Sequence, residues 1–314
     1  MVDSSDRVPI EPQSIIVPLS RAAIFLVLSI GNTAEAIRRV RGVIADIGGL
    51  VRTVGFRDLQ GRLSCNVAIG SAAWDRFGQS RRPAQLRPFV EIRGPVHTAV
   101  ATPGDLLFHI RANRADMCFE LERLILDVLR DAVTVADEVQ GFRYFDSRDL
   151  LGFVDGTENP TGVDLTQSAL IQSEDPPFDG GSYVVVQKYL HKLDKWRSLE
   201  TATQESIIGR TKADNVELDD VGRESHKTLT TIVDGDGVEH DILRDNMPFG
   251  SPGRGEFGTY FIGYTRNLWV IEKMLANMFN GAAAGRYDRI LDFSTPMTGT
   301  TFFAPSYSLL KGLG

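Results

Sequence analysis

Six apolar-patterned segments in the first 140 residues follow the order strand, helix, strand, strand, helix, strand. An apolar run marks the first strand, apolar residues alternate along the strands at 63–69 and 106–110, and they recur every three or four positions along the helices. This order is the split βαββαβ unit of a ferredoxin-like domain, whose sheet is antiparallel. The predicted segments are a strand at 22–30, a helix with Asn32 as N-cap that ends at Gly48-Gly49, a half-buried strand at 63–69, a strand at 106–110, a helix at 113–131 and a strand at 133–139.

A similar pattern returns in the second half of the chain. Apolar strands are predicted at 182–190 and 257–264, and a helix with one apolar face follows at 267–280. The sequence therefore predicts an α+β fold of two related ferredoxin-like domains with antiparallel sheets. We expect a polar, proline-containing arm at 1–20, an N-terminal domain at 21–145 and a C-terminal domain at 146–314. The long polar stretch at 191–255 contains loops of a length that is usually functional.

The charge balance argues against nucleic-acid binding. The chain of 314 residues has 34 Lys and Arg against 41 Asp and Glu, which gives a net charge of −7. Binding to nucleic-acid phosphates needs clustered positive charge in excess. We therefore expect no nucleic-acid partner.

Cysteine content and hydropathy indicate a cytoplasmic protein. Cys65 and Cys118 are the only cysteines, and neither lies in a C-x-x-C or metal-ligand spacing, which is typical of the reducing cytoplasm. The apolar run at 22–30 is far shorter than the roughly 20 residues of a membrane span. Acidic residues precede it, unlike the basic start of a signal peptide. We expect no membrane partner.

The segment G-F-V-D-G-T-E-N-P, residues 152–160, lies near the junction of the two halves. Asp155-Gly156 and Asn159-Pro160 are turn signals, so a linker turn with a solvated aspartate is one interpretation. Phe153 and Val154 precede the aspartate and favour a second interpretation, in which an apolar wall holds the carboxylate for acid or base chemistry.

Two further segments carry candidate functional groups. The chain has five histidines, and any one of them is more often structural than functional. His226 stands out because it lies just before the apolar and threonine-rich run at 229–233. In D-I-L-R-D-N-M-P-F-G, residues 241–250, an extended backbone would place Arg244 and Asn246 on the same side. Together they could bind a small oxygen ligand, or Arg244 could be a solvated residue of an edge strand.

These three segments, together with I-G-R-T-K at 208–212, give the chain a specific resemblance to a known family. The chain resembles the dye-decolourising peroxidases, in particular the compact class B, over nearly its whole length. The resemblance implies non-covalent haem b in the second of two ferredoxin-like domains. It also implies that His226 is the proximal ligand of the haem iron, with a carboxylate partner for which Asp288 is the candidate.

The resemblance assigns the remaining site residues to the other face of the haem and to its edge. Asp155, Arg244 and Asn246 would be catalytic residues on the distal, peroxide-binding side, with Arg244 also contacting the cofactor. Gly156, Thr157 and Glu158 would pass close to the haem edge. Asp155 would move a proton between the peroxide oxygens, and Arg244 would stabilise the charge on the leaving hydroxide.

The implied reaction is reduction of hydrogen peroxide through a ferryl intermediate, followed by one-electron oxidation of dyes, phenols or other bulky organic donors. We expect a homo-oligomer. Some relatives enter a protein nanocompartment by a C-terminal tail, but the ending S-L-L-K-G-L-G carries no such tail. Two alternatives remain open at this point: a haem-handling protein without physiological turnover, and a haem-free module that binds a small ligand.

Overall fold

The computed structural model of the protein describes residues 13–220, 223–281 and 286–314. None of the helices in these ranges is long and apolar enough to cross a membrane. The strands and helices, in chain order, are β1 (Ala22–Ile30), α1 (Ala34–Ala45), α2 (Ile47–Gly55), β2 (Ser64–Gly70), α3 (Ser71–Arg76), β3 (Ile92–Arg93), β4 (Thr98–Ala99), β5 (Leu106–Ala112), α4 (Ala115–Leu129), β6 (Val133–Phe142), α5 (Gly162–Ala169), β7 (Ser182–His191), α6 (Leu193–Arg197), α7 (Thr201–Ile208), α8 (His226–Thr230), β8 (Ile232–Val233), β9 (Glu239–His240), β10 (Leu243–Arg244), β11 (Met247–Ser251), β12 (Glu256–Thr265), α9 (Leu268–Asn280), β13 (Ser294–Pro296), β14 (Thr300–Ala304) and α10 (Tyr307–Gly312).

The N-terminal half forms an antiparallel sheet in the order β2–β5–β1–β6. Helices α1 and α2 connect β1 to β2, and α4 connects β5 to β6, which gives the predicted βαββαβ order. The helices bury their apolar stripes against one face of the sheet. Val40 of α1 and Leu121 of α4 share a buried cluster with Leu26 and Phe108 of the strands.

The C-terminal half repeats this arrangement with the order β10–β12–β7–β14, and α9 follows β12 as α4 follows β5. In each half the first strand, β1 or β7, lies between the third, β5 or β12, and the fourth, β6 or β14. The second strand, β2 or β10, lies beside the third. The prediction of two ferredoxin-like units with antiparallel sheets is confirmed.

The two sheets join through β14 and β2, which pair at Phe302–Gly70 and Phe303–Ile69. On the sheet faces opposite the helices, side chains from both halves form a second core, including Phe25 and Leu107 from one half and Tyr260 from the other. Every residue of β2 is buried as a result. The prediction of a half-buried strand at 63–69 is wrong because both faces of this strand are covered.

The first helical region also differs from the prediction. Thr33, not Asn32, is the N-cap of α1, and its side chain accepts a hydrogen bond from the Ala36 N–H. Gly48-Gly49 does not end the helical region, because α2 runs through both glycines from Ile47 to Gly55. Burial of Ile47, Val51 and Val54 in the core outweighs the low helix propensity of the glycines.

Part of the predicted arm is docked on the N-terminal sheet. The Gln13 side chain accepts a hydrogen bond from the Val67 N–H at 2.7 Å and donates one to the Val67 carbonyl at 2.6 Å. Gln13 and Ser20 are both buried. Residues 1–12 of the predicted arm lie outside the described residues.

Candidate functional site

A cavity opens between the C-terminal sheet and helices α8 and α9. Its empty volume is about 1500 Å³, counted with its open mouth. All of its lining residues belong to the C-terminal half. Seven of the eight candidates from the sequence line it: Asp155, Gly156, Thr157, Glu158, His226, Arg244 and Asn246.

The loop that carries Asp155 is fixed by its backbone. The Asp155 N–H donates to the Ser147 carbonyl at 2.9 Å, and Val154 forms a bridge with Arg148. Gly156 has a φ of +80°, a conformation that glycine adopts without steric cost. Asp155 therefore lies half-buried on a defined turn at the cavity wall.

The Asn159 side chain connects this loop to the strand that carries Arg244. Its Oδ1 accepts a hydrogen bond from the Arg244 N–H at 2.9 Å, and its Nδ2 donates to the Arg244 carbonyl at 2.7 Å. One amide side chain thus replaces a β-strand partner for Arg244. This contact joins two of the three segments that the sequence singled out.

Arg244 and Asn246 lie together at the cavity, as the extended backbone predicts. The Asn246 Nδ2 donates to Asp155 Oδ1 at 3.4 Å, and its Oδ1 accepts from the Ile262 N–H at 3.1 Å. The Nε of Arg244 is buried and has no hydrogen-bond partner among the described residues. Since buried polar groups are normally paired, this donor is available to a ligand in the cavity.

His226 is the first residue of α8, on the helical side of the cavity. Its Nδ1 lies 2.6 Å from Oδ2 of Asp288, which is 0% exposed. The other oxygen of Asp288 accepts the Ile290 N–H at 3.0 Å, which fixes the carboxylate. Nε2 of His226 has no hydrogen-bond partner in the described part of the chain, so this nitrogen can bind a metal while Nδ1 is held by the carboxylate.

Two other histidines line the cavity with different surroundings. His191 is bonded through Nδ1 to Ser294 Oγ at 2.8 Å and through Nε2 to Thr259 Oγ1 at 2.9 Å, so neither ring nitrogen is available. His240 Nε2 contacts Asp234 at 2.8 Å, but this carboxylate is 28% exposed. His97 and His109 do not line the cavity.

Two acidic groups and one histidine that line the cavity have shifted pKa values. Burial raises the pKa of Asp149 to about 7, and the charge of Asp155 adds to this shift. Burial also raises the pKa of Asp241. Burial lowers the pKa of His191 to about 4, so its imidazole is neutral at pH 7.

Several site residues escaped the sequence interpretation. The sequence marks Asn159 only as a turn residue, and Asp149 lies in no motif. Arg210 lies in I-G-R-T-K, which contributed only to the resemblance. It lines the cavity, pairs with Glu158 and donates from Nη1 to the Asn215 carbonyl at 2.9 Å, while Thr157 Oγ1 accepts from Asn215 Nδ2 at 2.9 Å.

The donor set fits a large apolar cofactor with a metal centre and anionic groups. Ile271, Met274, Leu275 and Met278 of α9 supply an apolar wall. His226 offers one imidazole nitrogen, and Arg210, Lys227 and Arg244 bring positive charge to the lining. Asp155, Arg244 and Asn246 supply polar groups that could act on a small ligand at such a centre.

Comparison with known proteins identifies relatives along nearly the whole chain. Family models described as Dyp-type peroxidase, N-terminal and C-terminal, match residues 12–143 and 146–309. A dye-decolorizing peroxidase of Mycobacterium tuberculosis is 56% identical over 303 residues, 96% of this chain and 90% of that protein.

Two solved structures have closely similar folds. A DypB variant from Rhodococcus jostii, solved in complex with heme, has a TM-score of 0.96 and 58% identity, covering 98% of this chain and 100% of that one. The encapsulated DyP-type peroxidase from Mycobacterium smegmatis has a TM-score of 0.92 and 52% identity, covering 96% and 98%.

Proposed function

The chain belongs to the Dyp-type peroxidase family, and on that premise we propose how its residues perform the reaction. The protein is a haem peroxidase that uses peroxide and a reductant. One observation carries the assignment of residues: His226, which Asp288 holds from behind, lines the same cavity as Asp155, Arg244 and Asn246. A haem-free module lacks this support from the family, whereas a haem-handling protein would share the cavity and differ by showing no reaction with peroxide.

Haem b fits the cavity by shape and chemistry. His226 would bind the iron through Nε2, the apolar residues of α9 would contact the porphyrin, and the cations of the lining would face its carboxylates. Gly156, Thr157 and Glu158 would contact its edge. When bound, the haem supplies the redox-active iron at which peroxide is reduced.

Asp288 orients His226 for this role. A carboxylate at 2.6 Å from Nδ1 accepts a hydrogen bond from the Nδ1–H and leaves the Nε2 lone pair free for the metal. The hydrogen bond also increases the basicity of the imidazole. Because Asp288 is fully buried, solvent does not weaken this interaction.

Asp155, Arg244 and Asn246 would act on the peroxide. The Asp155 carboxylate accepts a proton from one peroxide oxygen and returns it to the departing oxygen. The Arg244 guanidinium stabilises negative charge on that oxygen. Asn246 Nδ2, 3.4 Å from Asp155 Oδ1, orients the carboxylate.

The remaining expectations concern the reductant and the cellular setting. We propose organic one-electron donors that react at the cavity mouth, a homo-oligomeric state and a cytoplasmic location. Cys65 and Cys118 are free and buried, which supports a reducing compartment. Size-exclusion chromatography with light scattering tests the oligomeric state.

The test of the ligand assignment is haem binding by His226→Ala, with His240→Ala and His191→Ala as matched controls from the same cavity. We expect the His226 variant to bind haem more weakly and to lose the absorption spectrum of a histidine-ligated haem. The two controls should keep the wild-type spectrum. A wild-type spectrum in the His226 variant would assign the iron to another residue.

A further inference from the structure

A buried ion pair connects the N-terminal domain to the segment that carries Arg244 and Asn246. Asp245 lies between these two residues, but its side chain does not line the cavity. Asp245 Oδ2 accepts a hydrogen bond at 2.7 Å from Nη1 of Arg111, in β5 of the other half of the chain. The two side chains are 2% and 1% exposed.

Neighbouring groups hold Arg111 in place, and the positive charge beside Asp245 comes from Arg111 and not from His109. Nη2 of Arg111 donates to the Ser14 carbonyl at 2.7 Å. His109 Nε2 is 3.9 Å from Asp245 Oδ2, and burial together with the charge of Arg111 lowers the pKa of this histidine. His109 is therefore neutral, and its Nδ1 is bonded to the Tyr264 hydroxyl at 2.8 Å.

The backbone at Asp245 has fewer sheet contacts than its neighbours. β10 ends at Arg244 and β11 begins at Met247. Between them the Asp245 N–H donates to the Ile262 carbonyl at 3.1 Å, but the Ile262 N–H is taken by the Asn246 side chain instead of the backbone. The position of the segment therefore depends on side-chain contacts on both of its sides.

Burial of an ion pair is a poor source of stability, because the desolvation of both charges opposes their attraction. Such a pair is better explained by the geometry that it enforces. Here it anchors one side of the strand to the N-terminal domain, while Asn159 and Asp155 hold the other side.

We propose that Arg111 and Asp245 are positioning residues for the peroxide reaction, through which the N-terminal domain sets the placement of Arg244 and Asn246. This inference rests on the proposed catalytic roles of those two residues. Neither positioning residue contacts the reacting atoms.

The test replaces both charges at once by apolar side chains of similar length, Arg111→Met with Asp245→Leu. This leaves no unpaired buried charge. The matched control removes another ion pair between the two halves, Lys188→Met with Asp137→Leu, whose atoms lie 3.3 Å apart and whose side chains are 19% and 17% exposed. Three quantities are measured on haem-loaded protein: fluoride affinity by visible absorption, the rate of the spectral change with peroxide, and Tm.

We expect the Arg111/Asp245 double variant to bind fluoride at least tenfold more weakly and to react with peroxide at least tenfold more slowly, while haem stays bound. The control should match the wild type in both. Fluoride affinity and peroxide rate equal to those of the control would overturn the proposal. The proposal would also be overturned if the control variant lost fluoride affinity and peroxide rate to the same extent.

Two more variants keep the result interpretable. If the double variant does not fold, Arg111→Lys, which keeps the charge but not the planar donor group, is measured in the same way with the same expected direction. Arg244→Leu is the reference for the proposed function. If Arg244→Leu changes neither fluoride affinity nor peroxide rate, the proposed role of Arg244 fails rather than the positioning by Arg111.

Discussion

Replacing Asp288 by Asn tests how this protein holds its haem. The carboxylate is fully buried and lies 2.6 Å from His226 Nδ1, a short distance that indicates a charge-assisted hydrogen bond. A hydrogen bond to a charged group contributes about 1.5–3 kcal/mol. Since about 1.4 kcal/mol corresponds to a factor of ten in an equilibrium constant, we expect haem affinity to fall about 10- to 100-fold.

The assay is the rate of haem transfer from the loaded protein to an excess of a haem-free globin, followed by visible absorption. Asn keeps the shape of the side chain and an oxygen that can accept the Ile290 N–H. The matched control is Asp292→Asn, because Asp292 forms a second His–Asp pair with His97 at 2.9 Å and neither residue lines the cavity. Haem loss from the Asp288 variant no faster than from the Asp292 variant would refute the reasoning.

Three further predictions follow from the cavity wall. Arg244→Leu should slow the reaction with peroxide about 10²- to 10³-fold while haem stays bound; a wild-type stopped-flow rate would remove its catalytic role. The pKa of Asp149 is raised to about 7 in the folded protein from its ordinary value of 3.8, so this carboxyl contributes stability that is lost as pH rises from about 4 to about 7. Asp149→Asn should therefore raise Tm more at pH 8 than at pH 5, and an equal change at both would contradict the assignment. Gly156→Ala should lower the free energy of unfolding by about 1 kcal/mol in urea titrations, because φ is +80° and such a backbone disfavours a Cβ; an unchanged midpoint would show that the turn adapts.

The sequence pattern predicts most of the fold because the core elements have regular periodicity. Residues 22–30 are apolar except for Ser29 and form β1 with the expected bounds. The pattern fails where tertiary contacts decide the outcome. Gly48 and Gly49 indicate a helix end, but α1 already ends at Ala45 and burial of their apolar neighbours keeps both glycines inside α2. The alternation at 63–69 predicts one buried face, and only the packing of the second sheet shows that both are covered.

The residues of the candidate site also fall into two groups, those that the motifs predict and those that only the structure reveals. Motif resemblance supplies His226, Asp155, Arg244 and Asn246, and it also supplies Asp288, which the structure places beside His226. The resemblance does not supply the residues that support them. Asn159 contacts Arg244 across 85 positions. The sequence gives no sign of this contact, because a side chain that acts as a strand partner has the same signature as a turn residue.

The most direct test of the account is a titration of the purified wild-type protein with hemin, followed by rapid mixing with hydrogen peroxide. We expect saturation at one haem per chain, the spectrum of a histidine-ligated ferric haem, and a fast, peroxide-dependent spectral change that an organic reductant reverses. Saturable haem binding without a reaction with peroxide would contradict the peroxidase assignment and favour haem handling. Failure to bind haem stoichiometrically would contradict the assignment of the cavity itself.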